Sequence, residues 1–155
     1  MRLPFIWKPA GCADVSAASI DAPVGHLDLA PTFCDIAGIQ TPDYCEGQPL
    51  PLSIDDAAQQ PRDSILTEWD SEHGPITMHL KSIYRADGWL MTCYGPSHLY
   101  DGSEGELYNM TEDPDQVVNL WDDPERQAVK TDLREQLFES LPAPRSPALP
   151  RVAPV

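Results

Sequence analysis

Residues 68–75 (EWDSEHGP) bring carboxylates, an imidazole and an indole together in one short segment. Carboxylates and imidazoles donate, accept and exchange protons, and an aromatic ring beside them offers an apolar contact for a ligand. The segment connects two stretches with strand-like alternation, and binding residues are common in such connections. Glu72 and His73 are therefore candidate binding residues. The alternative is a solvated hairpin loop.

Two pairs of residues have types and spacing that suggest metal ligands. His26 and Asp28 are one residue apart beside a helix start, but Asp is also a common helix N-cap residue. Asp113 and Asp115 resemble the start of a calcium loop, yet the glycine and distal glutamate of an EF-hand are missing. We expect a helix cap in the first case and a turn in the second.

The four cysteines are Cys12, Cys34, Cys45 and Cys93, and none belongs to a CxxC pair. The spacing therefore supports neither a zinc knuckle nor a thioredoxin-type site. An even count permits disulfides but selects no pairing, so free thiols are expected and the compartment stays open.

A helix is predicted over residues 27–38. Asp28 fits its first turn, Pro31 is tolerated near its start, and Gly38 is a C-terminal stop. One face collects apolar side chains at helical spacing: Leu29, Phe33, Ile36 and Ala37. Burial of Phe33 or Ile36 would contribute about 1.5–3 kcal/mol each. On this basis, Phe33→Asp is expected to disrupt the unit.

A second helix is predicted after Asp123, which fits an N-cap, with Pro124 at the first helical position and Glu125 in the first turn. Its apolar side chains recur every four residues, with Phe138 beside them: Val129, Leu133, Leu137 and Leu141. Proline at 142 and 144 then ends the helix.

Strand signals divide into two groups. Residues 3–7 (LPFIW) form a short apolar run typical of a strand buried on both faces of a parallel sheet. Residues 64–69, 77–85 and 89–94 alternate with period two and predict an antiparallel meander, to which 106–110 adds a fourth strand. In the second meander strand we expect Leu80, Ser82 and Tyr84 to face inward and Lys81 and Arg85 to face solvent.

This order predicts three regions. Residues 1–61 belong to a large α/β layer, residues 62–141 form an antiparallel sheet with a packed helix, and residues 142–155 form an extended proline-rich tail.

The composition excludes some partners. Net charge is −15, from 25 acidic and 10 basic residues, which argues against nucleic acid and against an anionic membrane surface. It also argues against a stand-alone sulfate-binding role. No apolar run reaches the ~20 residues of a membrane span, and the start does not read as a signal peptide. Localisation is left open.

Residues 26–39 (HLDLAPTFCDIAGI) and 105–120 (GELYNMTEDPDQVVNL), with residues 47–50 (GQPL) between them, resemble the C-terminal part of a type I sulfatase of the alkaline phosphatase superfamily. The resemblance implies a partial alkaline-phosphatase-like α/β fold. One strand and one helix of the large central sheet would be followed by a small antiparallel C-terminal sheet with a packed helix.

The family's chemistry implies a formylglycine, made from Cys or Ser in a Cys/Ser-x-Pro-x-Arg motif, and a calcium ion held by Asp and Asn. No cysteine or serine of this sequence stands in that motif. No catalytic, cofactor-binding or metal residue therefore transfers to this chain. Formylglycine and calcium are implied only for the complete enzyme, where an N-terminal catalytic region would be this chain's partner.

The resemblance implies hydrolysis of a sulfate ester, on a small molecule or a glycan, by the complete enzyme. It also implies that the C-terminal subdomain borders the substrate cleft, with Glu72 and His73 at the pocket rim. We expect the isolated chain to be inactive and to aggregate or be partly structured. The alternatives are a related phosphonate or phosphate ester hydrolase and a free-standing acidic interaction module.

Overall fold

A computed structural model describes residues 5–8, 19, 21–51, 62–73 and 76–142, with only the backbone of Glu72 and His73. The chain divides into two compact units, Met1–Asp63 and Ser64–Val155, and each is considered by itself. The predicted tail from residue 143 onward lies outside the described residues. Three of the cysteines, Cys34, Cys45 and Cys93, are free thiols.

The predicted helix of the first unit is confirmed. A 3-10 turn, His26–Asp28, leads into helix α1, Leu29–Ala37. Gly38 ends it with φ 66°, a left-handed conformation that glycine adopts without a Cβ penalty. The N–H of Ile39 then donates to the carbonyl of Cys34 at 3.0 Å, which satisfies one of the last carbonyls of the helix.

The predicted buried face of α1 is wrong for this unit. Phe33 is 59% exposed and Ile36 is 45% exposed, whereas Pro31 and Thr32 are buried. Thr32 is covered because the backbone of Leu50 donates to its hydroxyl at 2.8 Å, so the loop packs on the polar side of the helix. No strand of the first unit, within the described residues, covers the apolar side.

The predicted strand over residues 3–7 is not formed in its described part. Phe5 to Lys8 have no regular structure, and Ile6 is 94% exposed. A strand of a parallel sheet takes its hydrogen bonds from neighbouring strands, and the described part of the first unit contains none. Residues 1–4 lie outside the described part.

The second unit contains the predicted antiparallel meander. Its strands pair in the order β1-β2-β3-β4. Their bounds are β1 Ser64–His73, β2 Ile76–Arg85, β3 Trp89–Tyr94 and β4 Gly105–Asn109. Gly88 has φ 96° in the tight turn between β2 and β3.

Helix α2, Gln127–Ser140, packs on this sheet after a 3-10 turn, Pro124–Arg126. The Asp123 carboxylate accepts from the N–H of Glu125 at 2.8 Å, which confirms the predicted cap. Leu133 and Leu137 are fully buried. Together they close a core with residues from the sheet and from the segment after β4: Ile83, Met91, Cys93, Leu107 and Trp121.

The predicted inward face of β2 is wrong. Ile83, which shares a face with Lys81 and Arg85, is fully buried in the core, while Leu80 and Tyr84 are only half-buried. Arg85 reaches the helix, where its guanidinium meets Asp132 at 2.5 Å. Alternation shows that a strand has two faces, but the element that packs on the sheet decides which face is covered.

Candidate functional site

The hairpin of β1 and β2 extends beyond the rest of the sheet. These strands pair from Ser64 opposite Arg85 to His73 opposite Ile76, whereas β3 pairs with β2 only from Leu80 to Tyr84. Residues 70–73 and 76–79, here called the hairpin arm, therefore have no third strand beside them within the described part of the chain. The polar residues of the arm whose side chains are described are Asp70, Ser71, Thr77 and His79.

The structure shortens the predicted loop over 68–75. β1 continues to His73 and β2 begins at Ile76, so the connection is reduced to residues 74 and 75, which lie outside the described residues. The backbone of Glu72 pairs with Thr77, and that of His73 pairs with Ile76. Both candidates are thus at the end of the arm, and their role at a pocket rim stays a prediction.

Asp70 and His79 form a pair that sequence reasoning missed. They lie directly opposite each other, and the Asp70 Oδ1 is 2.6 Å from Nδ1 of His79. A carboxylate on one ring nitrogen fixes the orientation of an imidazole and leaves the other nitrogen for a second partner. The signal was present in the sequence, because a turn at 74–75 places Asp70 opposite His79.

The segment after β3 holds His79 from a second side. The N–H of Gly95 donates to the His79 carbonyl at 2.6 Å, and a Cβ on Gly95 would lie 2.7 Å from the His79 Cβ. Only glycine therefore permits this close approach to His79, at the base of the arm.

Tyr94, at the end of β3, donates its hydroxyl to Glu106 Oε1 at 2.5 Å. Its ring meets that of Tyr100 edge-on, with centroids 4.7 Å apart. Burial, followed by the hydrogen bond to Glu106, raises the pKa of Tyr94 far above its usual value, so the phenol keeps its proton. Tyr94 is a hydrogen-bond donor to Glu106 in this structure.

The stretch 105–120 is scaffold. Asn119 Oδ1 accepts from the N–H groups of Leu107 and Trp121 at 3.0 Å each, and its Nδ2 donates to the Gly105 carbonyl at 3.1 Å. The N–H of Leu120 donates to the Leu107 carbonyl at 2.8 Å. Asn119 and Leu120 thus satisfy the free edge of β4, which would otherwise carry unpaired backbone groups.

Trp121 explains the glycine that begins this stretch. Its indole is buried, and its Nε1 donates to the Ser103 carbonyl at 2.9 Å. A Cβ on Gly105 would lie 2.5 Å from both the Trp121 ring and the Thr92 carbonyl oxygen. Glycine is required because the indole occupies the space of a side chain.

Asp28 is a structural residue of the first unit. Its buried carboxylate accepts from the N–H groups of Gly25 at 2.8 Å and Gln48 at 2.9 Å, and from both terminal nitrogens of Arg62 at 2.7 Å. These donors use both carboxylate oxygens, which leaves no lone pair directed at a cation. His26 is exposed beside it.

The loop over residues 47–50 fits against this carboxylate. Thr32 donates to the Asp28 carbonyl at 2.5 Å and receives the N–H of Leu50. A Cβ on Gly47 would lie 2.0 Å from the Leu27 carbonyl oxygen, so only glycine can pass there. The residue types that stand out in 26–39 and 47–50 are therefore explained by packing.

The described residues do not fit the cofactors that the resemblance implies. No group of three or more His, Cys, Asp or Glu side chains that could hold a metal ion is found among them. Likewise, no described helix is long and apolar enough to cross a membrane.

Comparison with known proteins identifies the family. The profile described as "N-sulphoglucosamine sulphohydrolase, C-terminal" matches residues 1–142. A Delta 4,5-hexuronate-2-O-sulfatase of Bacteroides thetaiotaomicron is 30% identical over 143 residues, which is 88% of this chain and 27% of that protein. The chain spans about a quarter of the length of the curated relatives that it matches.

Solved structures similar to this chain support the same family assignment. A 2-O GAG sulfatase superposes on 72% of this chain and 23% of its own, with TM-score 0.61 and 29% identity. The phosphonate monoester hydrolase of Agrobacterium radiobacter, with TM-score 0.55 and 20% identity over 72% of this chain and 23% of its own, shares the fold alone. The fold is thus the C-terminal portion of an α/β, alkaline-phosphatase-like architecture. The chain belongs to the sulfatase family, and it matches the C-terminal region that is described for N-sulphoglucosamine sulphohydrolase.

Proposed function

We propose that this chain is the C-terminal segment of an enzyme that hydrolyses a sulfate ester to an alcohol and sulfate. The observation that carries the proposal is the family match over residues 1–142. It is supported by similarity to a sulfatase, and the matched region makes up 27% of that protein's length. The relatives' names point to a sulfated sugar, so we propose a glycan sulfate ester as the substrate class.

The proposed partner of this chain is an N-terminal catalytic region carrying the formylglycine and calcium. Residues 1–61 would complete the large α/β domain, residues 62–141 would form the C-terminal subdomain, and residues 142–155 would extend from it. The exposed Phe33 and Ile36 support this assignment, because an apolar helix face is expected to pack on a sheet.

The test is sulfate release. We expect the purified 155-residue chain to release no sulfate from a chromogenic sulfate ester or a 2-O-sulfated unsaturated hexuronate disaccharide. Joined to an in-frame upstream region that contains Cys/Ser-x-Pro-x-Arg, it is expected to be active. Exchanging the Cys or Ser of that motif for Ala is the control. Turnover by the chain alone would contradict the proposal.

We further propose that Glu72 and His73, at the end of the hairpin arm, contact the alcohol part of the ester. The support is the arm itself, which extends past β3. In the complete enzyme His73→Ala should change the ratio of kcat/KM between two sulfated sugars, whereas His26→Ala, the control, should not. An equal loss on every substrate in a folded His73→Ala enzyme would contradict the assignment.

A further inference from the structure

Three cations lie one helical turn apart along α2 and the 3-10 turn before it. They are Arg126, Lys130 and Arg134. At a rise of about 1.5 Å per residue, neighbours in this series are about 6 Å apart along the axis. The three, here called the basic stripe, form a continuous row of positive charge on one side of the helix.

The basic stripe is not neutralised within the described part of the chain. None of its members has a carboxylate oxygen within 4.0 Å there, although the chain has 25 acidic residues. The other lysine and arginine of the described second unit behave differently. Lys81 meets Glu68 at 2.6 Å, and Arg85 meets Asp87 at 2.8 Å and Asp132 at 2.5 Å.

Aromatic rings hold the basic stripe in place. Each cation lies over a ring, at a distance from its centroid of 5.9 Å for Arg126 on Trp89, 4.5 Å for Lys130 on Trp121 and 5.7 Å for Arg134 on Phe138. A ring face attracts a cation without cancelling its charge, in contrast to a carboxylate. Such a contact favours the observed side-chain position by about 0.5–1 kcal/mol at an exposed site, which lowers the entropic cost of binding an anion there.

Polar atoms of the basic stripe still lack partners. Arg126 Nε is buried with no hydrogen-bond acceptor among the described residues. Lys130 Nζ donates one proton to the Trp121 carbonyl at 2.7 Å, which leaves two. The positive field also reaches the core: burial raises the pKa of Cys93, and the charges of Arg134 and Lys130 act against that shift.

A concave surface adjoins the basic stripe. Lys130, Thr131, Arg134, Glu135 and Phe138 line a depression of about 350 Å³, with the ring of Phe138 46% exposed. Glu135 is the one carboxylate in this lining and opposes an anion there. The lining is mostly apolar and includes two cations, which matches a ligand that has both apolar faces and strong negative charge.

We propose that the basic stripe binds a sulfated glycan chain. Sugar rings present C–H faces that can contact the apolar part of this lining, and sulfate groups along the chain present oxyanions that a guanidinium fork binds with two hydrogen bonds. Net charge of −15 does not exclude this, because charges beyond about 10 Å are largely screened at physiological salt. The choice of a sulfated glycan over another polyanion rests on the proposed function.

The test is calorimetric titration of the 155-residue chain with a size-defined heparin octasaccharide at about 0.15 M ionic strength, repeated at higher salt concentrations. We expect Lys130→Gln/Arg134→Gln to weaken binding by about fivefold or more, since each exposed ion pair contributes modestly, and to flatten its salt dependence. Lys8→Gln/Lys81→Gln makes the same change in net charge without altering a member of the basic stripe and should bind as the parent does. Lys130→Arg/Arg134→Lys should retain binding.

Three outcomes would overturn the proposal. No binding by the parent chain would do so, as would equal binding by the Lys130→Gln/Arg134→Gln and control variants. If polyglutamate binds as tightly, the basic stripe receives an acidic peptide instead. Should the double Gln variant unfold, Arg134→Gln alone decides, because that side chain is exposed. Calorimetry measures binding and does not require catalysis. Failure of a complete enzyme to release sulfate would therefore contradict the proposed function but would not change the measured glycan binding.

Discussion

Helices α1 and α2 have similar sequence signals and different surroundings. Both were predicted from an acidic residue at the start, apolar side chains at helical spacing and a residue that ends the helix. In α2 the apolar residues Leu133 and Leu137 are fully buried, whereas in α1 Phe33 and Ile36 are largely exposed. Local sequence signals are sufficient to predict a helix. Burial of its apolar face depends on whether the same chain supplies a surface on which that face can pack.

The two units are consequently held in different ways. The first unit is joined by polar contacts, chiefly the Asp28 carboxylate with its donors and the Thr32 hydroxyl with Leu50. The second unit is joined by an apolar core between the sheet and α2. Variants in each unit can test whether the first unit depends on these polar contacts and the second on its apolar core.

The largest effect is expected in the first unit from Asp28→Ala. Breaking a buried ion pair leaves the Arg62 guanidinium without its partner and frees the N–H groups of Gly25 and Gln48, at a cost of about 3–5 kcal/mol. Amide hydrogen exchange over residues 21–51 should show lost protection, while β2 and β3 keep theirs. Asp35→Ala, an exposed acidic residue of α1, is the control. Unchanged exchange in Asp28→Ala would refute the polar description of this unit.

The second comparison sets Leu137→Ala against Phe33→Asp. Leu137 is fully buried, so its truncation should lower the free energy of unfolding of the second unit by about 2–5 kcal/mol. Phe33 is exposed in this chain, so Phe33→Asp should change stability by no more than about 0.5 kcal/mol, contrary to the expectation from sequence. Denaturant unfolding followed by tryptophan fluorescence measures the first change, and helical circular dichroism the second.

A large loss in Phe33→Asp would mean that α1 finds a surface in the isolated chain after all. In a complete enzyme the same substitution should be costly, because the proposed large sheet would then cover this face. The pair of measurements, with and without the catalytic region, therefore separates a helix that lacks a partner from one that needs none.

The sequence predicted what depends on near neighbours. The caps at Asp123 and Gly38 and the turn at Gly88 follow from residues a few positions apart, and all are found. The inward face of β2 was missed because it depends on α2, more than forty positions later in the chain. At the candidate site, the predicted loop over 68–75 was too long, because β1 continues to His73, and the Asp70–His79 pair could be found only from the strand register.

Glycine substitutions in the two units are expected to cause smaller losses of stability, and the losses should differ between the units. In Gly105→Ala the new methyl group would lie 2.5 Å from the Trp121 ring, and overpacking of this kind costs about 1–3 kcal/mol. In Gly38→Ala no atom lies within 4 Å, and only the left-handed backbone opposes the change, by about 1 kcal/mol. Thermal unfolding should show the larger loss for Gly105→Ala, together with altered tryptophan fluorescence. The reverse order would mean that Trp121 has space to move.

The smallest effect concerns Asp113, an exposed counterpart of the buried Asp28. Its carboxylate accepts hydrogen bonds from the N–H groups of Val118 at 2.9 Å and Val117 at 3.1 Å. The bond from Val118, followed by the bond from Val117, lowers the pKa of Asp113 below the usual 3.8. Because folding lowers this pKa, the stabilisation is present above the unfolded value and is lost as pH falls through the folded one. The stability difference between the parent and Asp113→Asn should therefore shrink below a pH of about 4.

Asp115→Asn is the matched control for this last variant, since Asp115 accepts no backbone hydrogen bond among the described residues. Urea unfolding of both variants at about pH 6 and about pH 3 isolates the Asp113 contribution, because the other carboxylates titrate alike in each. A pH-independent difference would show that the turn over residues 113–118 forms without the charge. That result would leave buried Asp28 as the carboxylate on which a loop of this chain depends, and would sharpen the contrast between the two units.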